Sequence, residues 1–217
     1  MTNQEKGIIA QLRKDARSKT QKCYNPSCNN TAIRSHIQQA EGPIREITSV
    51  DGKIIQLEDL NRHFNKDIYG FREKGIKQTG DVLTFWGFCN DCDTRIFKDI
   101  ETETVDYFKY RNQLLFSYRG FLSEHYKQEY NIKHYELIFK SNELSEETKN
   151  SYQNLHNQFN LTVKTGRYKK QLFENDLRGD SRNFNFTTIE LPKIEVCTST
   201  AYSLPVGVVF DNNLKLA

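Results

Sequence analysis

The chain has 217 residues, 31 of them Lys or Arg against 28 Asp or Glu, for a formal net charge of +3. With a hydrophobic fraction of 36% and a mean hydropathy of −0.75, it carries no run near the ~20 apolar residues that a membrane-spanning helix needs. The mild basicity, pI near 8.5, permits nucleic-acid binding without arguing for it. The length suits one large domain or two small ones, and 14 Phe with 11 Tyr supply large buried areas to a core otherwise short of aliphatic side chains.

In chain order, residues 5–20 predict a basic helix with Ile8, Ile9, Leu12 and Ala16 on one face. Its cations could touch phosphates, although a solvated helix face is the simpler reading. A first cysteine pair follows, Cys23-x4-Cys28, and then Ser35-His36. Residues 44–55 alternate around Asp51-Gly52, a hairpin signal, and residues 70–80 carry Gly70, Gly75 and Gly80 among charges, which predicts an exposed loop. Residues 81–88 run as a strand into the second pair, Cys89-x2-Cys92, with Asp93 immediately after.

Beyond Asp93 the period changes. Ile96, Phe97 and Ile100 are spaced as on a helix, and Val105, Phe108, Leu115, Tyr118 and Leu122 mark one buried stripe. A second long helix is expected from Ser145 to about Asp176, capped by Ser145 with Glu146 and Glu147 in its first turn and with Tyr152, Leu155 and Phe159 on its apolar face. Two such helices should pack antiparallel. After Gly179, residues 184–191, 194–197 and 206–210 read as short strands separated by Pro192 and Pro205. Three parts result: a metal-motif module at 1–101 with a long insertion, a helical extension at 102–180 and a short β segment at 181–217. The expected class is α+β.

Zinc accepts four thiolates in a closed tetrahedral site, and two short-spaced pairs separated by a long excursion are the usual way to supply them. Cys23, Cys28, Cys89 and Cys92 fit that pattern. The alternative is two disulfides. The polar start of the chain shows no export signal, so a cytoplasmic protein with reduced thiols and a structural zinc ion is expected. Cys197, in an alternating stretch, reads as a small buried hydrophobe rather than a fifth ligand.

Cys23-x4-Cys28, Ser35-His36-Ile37 and Phe88-Cys89-Asn-Asp-Cys92-Asp93-Thr-Arg together resemble the zinc-containing branch of the HNH endonucleases, the ββα-metal fold. Residues 87–101 also resemble a bacterial HNH-like group with the signature Phe-Cys-x2-His-Asp-x2-Ile-Phe-x2-Ile-Glu, Cys92 standing in the place of its His. The resemblance covers residues 20–101. It implies a zinc knot holding a hairpin against a helix, His36 as general base, and Asp93 as ligand to a catalytic Mg2+ or Mn2+. It further implies hydrolysis of DNA, with RNA as a second possible substrate, in a setting such as phage defence. Ser35 stands where the family has Asp or His. The family's middle Asn has no clear counterpart: Thr84 lies near its expected position, and Asn61 and Asn65 lie in the insertion. Glu101 could support the site or form a salt bridge, and His63, His125, His134 and His156 have no partner spacing. The rival readings are a catalytically inactive zinc module that binds nucleic acid and an interaction protein in which zinc is architectural.

Overall fold

The computed structural model describes residues 1–18, 21–37, 44, 47–57, 71–75, 83–102, 104–189 and 192. Their elements are α1 (Asn3–Ser18), β1 (Arg34–His36), β2 (Lys53–Leu57), β3 (Phe71–Gly75), β4 (Thr84–Trp86), α2 (Asn90–Phe97), α3 (Tyr110–Lys140) and α4 (Glu146–Arg178), with a 3₁₀ turn Lys98–Ile100 after α2. The molecule is mixed α+β and mostly helical. No described helix is long and apolar enough to cross a membrane.

The helices form where the 3.6-residue period placed them. Thr2 and Glu5 cap α1 reciprocally, Thr2 N–H donating to Glu5 Oε2 at 2.7 Å and Glu5 N–H to Thr2 Oγ1 at 3.2 Å. Its predicted face holds: Ile8, Ile9 and Leu12 pack on a cluster of Tyr135 and Ile138 from α3, Leu144 from the turn after it and Tyr152 from α4. The Ser145 hydroxyl accepts from Thr148 N–H at the start of α4, as its sequence predicted. Gly179 ends α4 in the left-handed region, φ 86°, where Gly179 and Asp180 N–H groups close onto the carbonyls of Asp176 and Asn175. α3 and α4 run antiparallel, so Tyr118 near the start of α3 meets Phe173 near the end of α4, and Tyr135 meets Tyr152.

The main core joins the metal-motif segment to the long helices. Phe85, Phe88, Phe97 and Ile100 pack with Leu114, Leu115, Tyr118, Leu122 and Phe173, all buried. Phe88 and Phe97 meet edge-on at 5.5 Å, the arrangement favoured by ring quadrupoles. Each buried Leu or Phe contributes ~1.5–3 kcal/mol by leaving water, which ties the hairpin to α3. The stripe begins later than its sequence suggested. Phe108 lies before α3 and is 63% exposed, and Val105 packs against the core from a non-helical segment.

Two antiparallel pairs make up the described strands. β1 pairs with β4 in the register Arg34↔Trp86, Ser35↔Phe85, His36↔Thr84. β2 pairs with β3, Lys53↔Gly75 to Leu57↔Phe71. The second pair corrects the prediction of an exposed loop for residues 71–75; residues 70 and 76–80 lie outside the described residues. A turn does form at Gly52, φ 76°, with Ser49 N–H donating to the Lys53 carbonyl. The strand leaving it finds its partner in residues 71–75 rather than among the residues just before the turn. Pairing is a long-range choice that local alternation does not specify.

The segment after α4 also differs from expectation. Residues 184–189 form no strand ladder. Asp176 accepts from Tyr110 Oη–H, Ser181 Oγ–H and both the backbone N–H and Nδ2 of Asn183, which folds the tail back over α3 and α4. Phe184 then stacks on Phe173 at 4.1 Å and Phe186 meets Tyr110 at 5.5 Å. The two-residue alternation was a real sign of extended chain, but the partner is a helix pair. The later strands predicted at 194–197 and 206–210, together with Cys197, Asn61 and Asn65, lie outside the described residues.

Candidate metal centre and the adjoining polar cluster

The backbone gathers the two cysteine pairs. The loop bearing Cys23 and Cys28 closes on itself through Cys23 N–H to the Asn30 carbonyl and Cys28 N–H to the Asn25 carbonyl, both 3.0 Å. It docks on the strand before α2 through Tyr24 N–H to the Gly87 carbonyl and Ile33 N–H to the Phe88 carbonyl, each 2.7 Å. Cys89 precedes α2 and Cys92 lies in its first turn. The four Sγ atoms fall within 4.8 Å of one another.

That grouping fits a metal ion. Tetrahedral zinc with Zn–S bonds of about 2.3 Å places its sulfurs roughly 3.8 Å apart, and Cys28 and Cys89 Sγ lie 3.6 Å apart. The same separation is far from the ~2.05 Å of a disulfide, and all four thiols are free. N–H groups surround the sulfurs: Asn25 Nδ2 donates to Cys92 Sγ at 3.1 Å, Arg95 Nη2 to the same sulfur at 3.7 Å and Asn30 Nδ2 to Cys89 Sγ at 3.8 Å. Such donors stabilise thiolates and orient them. Burial pushes the Cys23 thiol up to about 12, whereas a hydrogen bond from the Cys92 backbone, with others from Cys28, Cys92 and Asn30, holds Cys89 at about 7. A shared cation would deprotonate both. The sulfurs are the one group of three or more His, Cys, Asp or Glu residues among those described that could hold a metal ion, and His36 is not part of it.

Beside the sulfurs lies a second cluster. Asp93, one residue past Cys92, is in the first turn of α2, and its carboxyl is pushed upward by burial, against the pull of Arg119 and the Ser35 hydroxyl. Arg119 reaches in from α3 with only 2% of its side chain exposed. Its Nη2 donates to Glu101 Oε1 at 2.5 Å, lies 3.6 Å from Asp93 Oδ2, and its guanidinium sits 4.0 Å over the Phe97 ring. Glu101 thus takes the salt-bridge role. His36 is half-buried; burial foremost and then the Arg119 charge lower its pKa, opposed by Asp93 and Glu101. Ser35, on the inward face of β1, is 1% exposed. Ser35 Oγ, Asp93 Oδ1 and Arg119 Nε are all buried without a hydrogen-bond partner of good geometry.

The structure brings Cys23, Cys28, Cys89 and Cys92 together and sets Asp93, Glu101 and Ser35 close by, with His36 within reach of their charges. Thr84 faces His36 across the ribbon. Sequence reasoning missed Arg119 and the three N–H donors to sulfur. Asn25 and Asn30 flank Cys28 and carried a local signal; Arg119, in the middle of α3, carried none. His125 and His134 are buried within the helix packing. Comparison of the chain with protein-family models, with curated proteins and with solved structures found no match.

Proposed function

We propose that the four cysteines hold one structural zinc ion and that the cluster beside them hydrolyses phosphodiester bonds, with DNA the expected substrate and RNA a second possibility. The observation that carries this reading is that His36 and Asp93 lie near enough, beside the sulfur cluster, for each charge to act on the other, and that Asp93 Oδ1 is buried without a hydrogen bond of good geometry. Burial keeps His36 neutral at physiological pH, the form able to take a proton from water. Asp93 Oδ1 would be the ligand to a magnesium or manganese ion, which when bound supplies charge neutralisation at the phosphate. Ser35, in place of a second ligand of the Asp type, offers its hydroxyl next to that carboxylate.

Incubation of the purified protein with supercoiled plasmid and with a single-stranded DNA circle, in Mg2+ or Mn2+, tests the reading. Cleavage by the native chain that disappears in His36→Ala, with zinc content and melting temperature unchanged, is the expected result. Absence of cleavage of both DNAs with either cation, or full cleavage by His36→Ala, would overturn it.

A second reading has its own support. Arg119 already places a positive charge against Asp93 and Glu101, so a divalent cation there would meet an occupied electrostatic niche. On this reading the chain is a catalytically inactive zinc module that binds nucleic acid or a protein. A zinc-replete chain that never cuts under any cation would place it first.

A further inference from the structure

Strand alternation sorts the β1–β4 ribbon into two faces. Ser35 and Phe85 are buried inward, which leaves Arg34, His36, Thr84 and Trp86 on the outer face. Arg34 lies directly across from Trp86 with its guanidinium carbon 5.5 Å from the indole ring centroid. His36 follows two residues along the same face, opposite Thr84. A flat cationic and aromatic platform therefore adjoins the histidine assigned above as the base.

Arg17, in the last turn of α1, lies 5.3 Å over the Tyr130 ring, and Arg17 and Arg34 both lie near enough to Tyr126 to act on its phenol. Tyr126 in turn packs against Phe85 behind the ribbon, ring centroids 6.4 Å apart. Both Arg17 and Arg34 are exposed, Arg17 toward the long-helix side and Arg34 on the outer face of the ribbon.

We propose that this outer face binds single-stranded nucleic acid, with a base stacked at Trp86 and the neighbouring phosphate met by Arg34, so that the strand runs toward His36. Stacking on an aromatic side chain needs a base whose face is open, which a duplex does not offer; every base has such a face, so the contact tolerates sequence. Guanidinium groups match phosphate geometry with paired N–H donors and also stack on planar groups. A protein partner fits less well, because among the described residues of this face Trp86 is the lone large apolar side chain beside Arg34, His36 and Thr84. The inference deepens the phosphodiester reading by naming the form of the substrate, and rests on that reading for the place of His36 but not for binding itself.

Trp86 is the chain's sole tryptophan, so its fluorescence reports on this face alone. The full chain carrying His36→Ala, which removes turnover, is titrated with single-stranded oligothymidylate, with oligouridylate and with a duplex of equal length. Saturable quenching by the single strands, weaker for the duplex and lost steeply as salt rises, is expected. Similar affinity for oligouridylate would support the proposal, since stacking and phosphate contacts ignore the 2′-hydroxyl. Adding Arg34→Ala should weaken binding about tenfold or more with an unchanged melt, and Trp86→Ala should do likewise by anisotropy of a labelled strand, with Trp86→Phe retaining part of the affinity. No quenching, tighter binding of duplex, or affinity unmoved by Arg34→Ala and Trp86→Phe alike would overturn it. Binding at Trp86 in a native chain that never cuts would remove the nuclease reading and keep this one. Cutting undiminished by Arg34→Ala and by Trp86→Ala would do the reverse.

Discussion

Arg119 is the side chain on which the polar cluster turns. A guanidinium removed from water needs its charge answered, and Glu101, Asp93 and the face of Phe97 answer it together. Arg119→Met should therefore lower stability by on the order of 3 kcal/mol, near the low end for a broken buried pair because Glu101 is 31% exposed. A denaturation midpoint equal to that of the native chain would show that the cluster contributes little. Arg119→Lys should rescue little, since a point charge cannot span both carboxylates while lying flat on Phe97. His36 sets a pH signature at the same scale. Its pKa lies below 6.5, so a reaction using it as base should accelerate as pH rises through that lower value and level off by neutrality. A rate still climbing steeply above pH 7 would assign the base to another group. The cysteines and His36 were legible because their spacing is local. Arg119 was not, because an arginine on a long helix looks the same whether it faces water or a carboxylate pair.

Among the elements, α1 is held at two points that acid should release in sequence. Glu5 accepts from Ser145 N–H, Ser145 Oγ–H and Thr148 Oγ1–H, joining the start of α1 to the cap of α4, and these bonds with that from Thr2 hold its carboxyl near 2. His134 donates from Nε2 to the Ile9 carbonyl at 3.3 Å, and burial lowers it to about 4. Both groups are depressed in the folded state. The unfolded chain therefore binds protons first, and stability falls as pH drops, from 6.5 toward about 4 for His134 and from 4.5 toward about 2 for Glu5. The histidine alone is worth on the order of 3 kcal/mol across its window. Hydrogen exchange at pH 5 should find α1 less protected than at pH 7, with the centres of α3 and α4 unchanged; equal protection of α1 would contradict this. Where α3 and α4 cross, Gly166 admits the ring of His125, and a methyl there would strike that ring. Gly166→Ala should cost ~1–3 kcal/mol by overpacking despite its better helix propensity, read as a lower melting temperature. The three long helices could be read from sequence because one apolar period sustains each of them. The β2–β3 pair and the tail after Gly179 could not, because extended segments take partners that lie far along the chain.

For the molecule as a whole, the sulfur cluster is the joint between the ribbon, the cysteine loop and α2, and Phe88 and Phe97 carry that joint into the core shared with α3 and α4. Metal that binds only the folded arrangement adds its binding energy to folding, of order 10 kcal/mol for a four-ligand zinc site. Cys92→Ser should therefore melt the ribbon and α2 while much of the α3–α4 helix signal survives, because the Tyr135, Ile138, Leu144 and Tyr152 cluster lies apart from the sulfurs. The most direct test is the metal content of the purified native chain by elemental analysis, taken with its thermal melt before and after chelation. The account predicts one zinc ion per chain, and a large fall in melting temperature once that ion is removed. Protein that purifies without metal, or melts at the same temperature with and without it, would contradict the account.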